Sequence, residues 1–155
     1  MRKKLALLLA LTAALVLLAG CKVSGKPLPE GMDATELITQ GRLGPVEGGW
    51  EVAYEETEVT GMEGTTTHLA YLGDHVLLSR TGTITTQMLF QAGRQHSTLY
   101  ETPLGPLTMD IRTHHLRGSL DEQGGAIEIR YDIALQHQIN SHNLFYIRVR
   151  RTNPR

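Results

Sequence analysis

Cys21 carries the most reactive side chain in the sequence, and it is the only cysteine among the 155 residues. A thiolate is a nucleophile and can be alkylated. The residues just before it, Ala19 and Gly20, are small enough to let the backbone enter a narrow peptidase site. With one thiol, the chain cannot close an intrachain disulfide. The chemistry that this residue type allows at Cys21 is covalent modification at sulfur, and the small residues before it allow cleavage of the preceding peptide bond.

The N-terminal segment has the charge and hydropathy of an export signal. Three basic residues at positions 2–4 precede an apolar run from Leu5 to Leu18 that only Thr12 interrupts. This run is shorter than the about 20 residues that span a bilayer. Leu18-Ala19-Gly20-Cys21 resembles the lipobox of bacterial lipoproteins at all four positions. The resemblance implies that residues 1–20 are a signal peptide and that the Cys21 thiol accepts a diacylglycerol through a thioether. An uncleaved membrane helix and a secretory signal with a chance cysteine are the alternatives.

A lipid on Cys21 would place the protein on the outer side of a bacterial membrane, since two acyl chains are enough for stable anchoring. Residues 21–32 contain Pro27 and Pro29 and few apolar residues, so they are predicted to be a tether. Residues 33–155 remain as one domain. Loss of the three basic residues of the signal from a total of 15 leaves 12 against 16 acidic residues. An acidic chain lacks the surface that nucleic acid requires, so we expect no nucleic-acid partner.

Alternation of apolar and polar residues dominates the chain from Trp50 onward. The clearest case is residues 127–136, where isoleucines alternate with charged residues. Asp33 to Gly41 is ambiguous between a short capped helix and a strand, and we favour the strand. Eight or nine short strands at hairpin spacing indicate a sandwich or an up-and-down antiparallel β-barrel, and thus an all-β fold. Asp110 and Asp132 fall in the middle of strands, at positions predicted to be exposed.

Several short motifs, each occurring once, follow one another along most of the domain. They are Tyr54-Glu55-Glu56-Thr57, Arg80-Thr81-Gly82, Met88-Leu89-Phe90, Tyr100-Glu101-Thr102-Pro103-Leu104-Gly105, Thr113, and Gly125-Ala126-Ile127 leading to Tyr131. In order and spacing this set resembles the YwiB-like family, a domain of unknown function. The resemblance implies a calycin-like, lipocalin-type β-barrel and implies no activity. Typical members look like cytoplasmic proteins without a signal, and the lipobox is where this sequence departs from them.

Arg80 is the candidate binding residue, because it shares a strand face with Val76 and Leu78. A cation on an inner face needs a partner. One hypothesis is that Arg80 binds the carboxylate or phosphate headgroup of an apolar ligand, with Tyr54, Phe90 and Tyr131 lining the cavity. The favoured alternative is a structural role, either an internal ion pair, for instance with a glutamate of the Tyr54-Glu55-Glu56 strand, or an exposed position at the strand end.

Neither metal ligation nor catalysis is predicted. The seven histidines are scattered, and no His-Glu-x-x-His helix or Gly-x-Ser-x-Gly turn occurs. We therefore expect no metal, no cofactor and no enzymatic activity. The leading functional hypothesis is a lipid-anchored barrel that binds a small apolar ligand. The alternative is an envelope assembly or protein-interaction module with a filled core, acting through loops such as Thr102 to Pro106, and an enzyme is disfavoured.

Overall fold

A computed structural model describes residues 14–18, 35–102 and 105–150 of the chain. These residues contain eleven strands and one 3-10 turn. The strands are β1 (Ala14–Leu18), β2 (Thr35–Ile38), β3 (Gly41–Val46), β4 (Gly49–Glu55), β5 (Thr65–Tyr71), β6 (His75–Gly82), β7 (Thr86–Gln91), β8 (Gln95–Thr102), β9 (Gly105–Asp121), β10 (Gly124–Leu135) and β11 (Gln138–Arg150). The turn is Glu58–Thr60, capped by the Thr57 hydroxyl. The predicted all-β fold is confirmed.

The ladders form two sheets, in the orders β3-β4-β5-β6-β7 and β2-β1-β11-β10-β9-β8. From β3 to β7 and from β8 to β11, each strand pairs antiparallel with the next, which is the predicted up-and-down order. At the β7–β8 turn, Gly93 donates its N–H to the Thr113 carbonyl. This contact ties the end of one sheet to a central strand of the other.

The region around β2 was ambiguous in the sequence, and the structure resolves it as two short strands, β2 and β3. β1 pairs in parallel with both β2 and β11. Its residues fall within the predicted signal peptide, so cleavage before Cys21 would remove β1 from the sheet. Cys21 and the predicted tether, residues 21–32, lie outside the described residues. None of the described elements is a helix long and apolar enough to cross a bilayer.

The core lies between the two sheets and takes every second residue of the central strands. In β9 this alternation changes phase. Met109 and Ile111 point inward before His114, whereas Leu116 and Leu120 point inward after it. A β-bulge explains the change, because Arg130 pairs with His115 while the next residue, Tyr131, pairs with Thr113. Because the bulge interrupts the alternation of apolar and polar residues, the sequence pattern indicates a strand that is shorter than β9.

Candidate functional site

Four inward-facing side chains form one row across the five-stranded sheet. Tyr54 pairs with Thr67, Thr67 with Arg80, and Arg80 with Thr86. All four are buried, and Arg80 is only 2% exposed. The adjacent row on the same face is apolar and contains Val52, Leu69, Leu78 and Met88. Polar groups are therefore concentrated in one band of an otherwise apolar interior.

The six-stranded sheet contributes a second polar row. Tyr131 pairs with Thr113 on one side and Asn143 on the other, and all three are buried. The two rows face each other, because the Tyr131 ring packs on Phe90 of β7, with ring centroids 4.8 Å apart. We call this set the polar layer. Its members are Tyr54, Glu56, Thr67, Arg80, Thr86, Thr113, Tyr131 and Asn143.

Glu56 and Arg80 form an ion pair inside the polar layer. Arg80 Nε lies 3.7 Å from Glu56 Oε1, and both side chains are 1% exposed. Two hydroxyls complete the carboxylate's hydrogen bonds, from Thr67 to Oε1 at 2.6 Å and from Thr60 to Oε2 at 2.8 Å. Of the sequence interpretations of Arg80, the structure shows the internal ion pair, with Glu56 directly after β4 as its partner.

Four buried polar atoms of the polar layer have no hydrogen-bond partner among the described residues. They are Arg80 Nε, Thr86 Oγ1, Thr113 Oγ1 and Asn143 Oδ1. Of the five such atoms in the described part of the chain, only His96 Nε2 lies outside the layer. An unpaired buried polar group is costly, and native proteins keep few of them. Their concentration in one layer makes this the candidate binding site.

The two tyrosines of the layer are held neutral. Burial raises the pKa of the Tyr54 hydroxyl far above its ordinary value, and Glu56 adds to this effect while Arg80 opposes it. Burial likewise raises the pKa of Tyr131, and Arg80 again opposes the rise. The Tyr131 ring also packs edge-to-face on Phe90, with ring centroids 4.8 Å apart. The only charges of the layer are therefore those of Glu56 and Arg80.

The residues predicted to line a cavity do come together. Tyr54, Arg80 and Tyr131 belong to the polar layer, and Phe90 contacts it through Tyr131. Sequence reasoning missed Thr86, Thr113 and Asn143 as site residues. A signal was present for the two threonines, because each occurs in phase with apolar residues that face the core. Which threonines meet across the two sheets depends on register, which the sequence does not show.

A second polar cluster lies on the outer face of the six-stranded sheet. Both rings that flank Asp132 donate to it, from His114 Nε2 at 2.7 Å and from His142 Nδ1 at 2.6 Å. An open depression of about 460 Å³ is lined in part by these three residues. Next to it, Asp110 accepts hydrogen bonds from Ser97 and from His137.

The prediction that both aspartates are exposed was wrong. Asp110 is 4% and Asp132 is 8% exposed, because the partner side chains cover them. The contacts run from serine to carboxylate to imidazole, with Asp110 in the middle. A catalytic triad instead places the imidazole between the hydroxyl and the carboxylate. In the described part of the chain, no group of three or more His, Cys, Asp or Glu side chains is arranged to hold a metal ion.

The carboxylates of Asp110 and Asp132 make the free energy of unfolding depend on pH in the acidic range. Burial raises the pKa of Asp132, but the hydrogen bonds and charges of His114 and His142 outweigh it, so the net shift is downward. The hydrogen bond from Ser97 is the main reason why the pKa of Asp110 is also low. A carboxyl with a depressed folded-state pKa stabilises the fold above its unfolded pKa of about 3.9, and this contribution is lost as the pH falls through the folded value.

We therefore expect the free energy of unfolding to fall steeply below about pH 4, and Asp132→Asn to flatten that dependence. Urea unfolding of the full chain at several pH values between about 2.5 and 6 measures the slope. Asp121→Asn is the matched control, because Asp121 is exposed and its side chain accepts a hydrogen bond from the Gln123 N–H. An unchanged slope in Asp132→Asn would show that the two histidines do not stabilise the charged carboxylate.

Comparison with known proteins connects this fold to a family. The sequence profile of the Domain of unknown function (DUF1934) matches residues 24–147. Among solved structures, the chain is similar to the crystal structure of the ywiB protein from Bacillus subtilis. The TM-score is 0.56 and the identity 23%, over 67% of this chain and 70% of that one. At this identity the likeness shows the fold alone. A search of curated proteins gave no match. The chain therefore belongs to the DUF1934 family and has the YwiB-like all-β fold.

Proposed function

We propose that this protein is a membrane-anchored bacterial lipoprotein whose β domain binds a small ligand in the polar layer. The role assigned to the domain is binding rather than catalysis. The anchor is the diacylglycerol on Cys21, and residues 21–32 tether the domain to the outer side of the membrane. The support for the anchor is the complete Leu18-Ala19-Gly20-Cys21 box after a short apolar run.

One observation carries the binding role. Three polar atoms with no partner among the described residues, Thr86 Oγ1, Thr113 Oγ1 and Asn143 Oδ1, are buried in a single layer between the sheets, beside the Glu56–Arg80 ion pair. A ligand that hydrogen-bonds to them would offset the cost of burying them unpaired. Interiors of β-barrel proteins are a common place for small ligands. The arrangement therefore supports an interior ligand better than a headgroup held by Arg80 alone, since Arg80 already has Glu56 as a partner.

Cys21→Ser tests the anchor. We expect the wild-type chain to incorporate labelled palmitate and to resist extraction of the membrane fraction with carbonate. The serine variant should incorporate none and leave the membrane fraction, because a hydroxyl cannot form the thioether. Lys22→Ser is the matched control, because it alters the neighbouring residue and leaves the thiol in place. Failure of the wild type to incorporate palmitate, together with a Cys21→Ser protein that stays membrane-bound just as firmly, would refute lipid anchoring.

Ligand retention tests the binding role. The full chain, solubilised from membranes under mild conditions, is examined by native mass spectrometry for a small molecule that leaves on denaturation. We expect such a mass in the wild type and less of it in a Thr86→Val, Thr113→Val double variant. Full loading of that double variant would place the ligand elsewhere.

The outer-face depression favours a second candidate function, that of a protein-interaction module. This surface carries Leu144 as well as His114 and His142. Under that alternative, a photoreactive residue at position 144 would cross-link to one envelope protein in intact cells. Under the same alternative, we expect no small molecule to bind between the two sheets.

A further inference from the structure

We infer that the ligand of the polar layer is an uncharged molecule with both hydrogen-bond donors and acceptors, of the class that a carboxamide or a hydroxyl compound represents. This inference rests on the proposed binding function and defines its ligand class. It differs from the expectation of a carboxylate or phosphate headgroup that Arg80 by itself suggests.

Charge balance argues against an anionic ligand. The Arg80 guanidinium and the Glu56 carboxylate neutralise each other 3.7 Å apart, and both are almost fully buried. A ligand carboxylate would add a second negative charge to the same buried space. Uncompensated buried charge is strongly unfavourable, and two carboxylates that share a site cannot both remain ionised at ordinary pH. A cationic ligand would meet the same difficulty beside Arg80.

The unpartnered atoms define the hydrogen bonds that a ligand would make. Arg80 Nε faces Glu56 Oε1 in the ion pair, so the atoms left for a ligand are the hydroxyls of Thr86 and Thr113, which can donate or accept, and Asn143 Oδ1. The Asn143 amide is oriented by its Nδ2, which donates to the Ser141 hydroxyl at 3.0 Å and to the Ser141 carbonyl at 3.4 Å. Its Oδ1 is therefore left as an acceptor. A site with two hydroxyls and one fixed acceptor matches a group that carries both a donor and an acceptor, as an amide does.

The residues beside the polar layer fit a ligand whose polar group carries a compact apolar substituent. Phe90 and Met88 are buried beside the layer, and Arg80 Nη1 lies 4.0 Å from the Met88 sulfur. The Met88 methyl group is consequently a local probe of the layer. Met109 is fully buried in an apolar part of the same core and serves as the internal reference.

The test uses two small soluble probes of the same shape, isobutyramide and isobutyrate. The full chain, labelled with ¹³C at its methionine methyl groups, is titrated with each probe and followed by NMR. We expect isobutyramide to shift the Met88 signal saturably and to leave Met109 unchanged. Isobutyrate at the same concentration should leave both signals in place. A Met88 shift with isobutyrate as large as that with isobutyramide would overturn the inference while leaving ligand binding intact. No shift with either probe would refute the binding function itself.

Threonine variants connect the probe to the unpartnered atoms. Thr113→Val removes one unpaired buried hydroxyl at constant shape. We expect it to raise the thermal midpoint by a few degrees and to weaken isobutyramide binding by about fivefold, the loss of one hydrogen bond. Thr67→Val is the matched control, because its hydroxyl already bonds to Glu56 at 2.6 Å. It should lower the thermal midpoint. Unchanged isobutyramide affinity in Thr113→Val would exclude this hydroxyl from the site.

Discussion

Glu56→Gln is expected to lower the free energy of unfolding by about 3–5 kcal/mol, because it leaves Arg80 as a buried cation without a counter-charge. The glutamine keeps the shape of the side chain. Its amide oxygen can accept from Thr67, and its amide nitrogen can donate to the Thr60 hydroxyl, which can donate to the Thr57 carbonyl 3.0 Å away. Loss of the charge is therefore the main change. Urea unfolding monitored by circular dichroism measures the difference.

The exposed neighbour provides the control for this variant. Glu55→Gln changes the same residue type one position away, where the side chain lies at the surface and accepts from Thr66. We expect a cost of less than about 1 kcal/mol there, as is usual for exposed pairs. The double variant Glu56→Gln, Arg80→Met should recover much of the stability, since neither charge remains buried. A Glu56→Gln protein as stable as Glu55→Gln would mean that the pair does not balance a buried charge. The charge argument on the ligand would then fail with it.

The second large effect is expected at Gly118, where β9 passes close to β10. Its φ angle is +133°, and a Cβ added there would lie 2.0 Å from the Ala126 carbonyl oxygen. The Gly118 carbonyl also accepts from the Tyr71 hydroxyl at 2.9 Å, which links the two sheets. Gly118→Ala must therefore displace backbone in the longest hairpin. Strain and overpacking together should cost about 3 kcal/mol or more.

Gly73→Ala separates strain from crowding. Gly73 also has a positive φ, of +89°, but a Cβ there meets nothing within 4 Å. We expect a cost of about 1–2 kcal/mol, the ordinary penalty for a left-handed residue with a side chain. The two variants are compared by thermal unfolding. Equal losses would show that the close approach to Ala126 does not constrain the hairpin.

Sequence alternation predicted the strands well where pairing is regular and poorly where it is not. Residues 127–136 alternate clearly, and the structure has β10 there as Gly124–Leu135. In β9 the bulge at His114 reverses the inward phase, so alternation predicted only its first half. The prediction that Asp110 and Asp132 are exposed was wrong for a related reason. Period two correctly places them on the outer face, but it cannot show that histidines from other strands and from the β10–β11 turn cover them.

The sequence by itself determined the all-β class, the antiparallel order of β3 to β7 and of β8 to β11, and the family motifs, because each depends on local alternation or on a short motif. For Arg80 it indicated a strand face shared with Val76 and Leu78, and it left an internal glutamate, a ligand headgroup and solvent open as partners. Only the tertiary structure selected Glu56 and brought Thr86, Thr113 and Asn143 into one layer. Those contacts join strands far apart in the chain. Hairpins and bulges together set the register of these strands, and no single residue determines it.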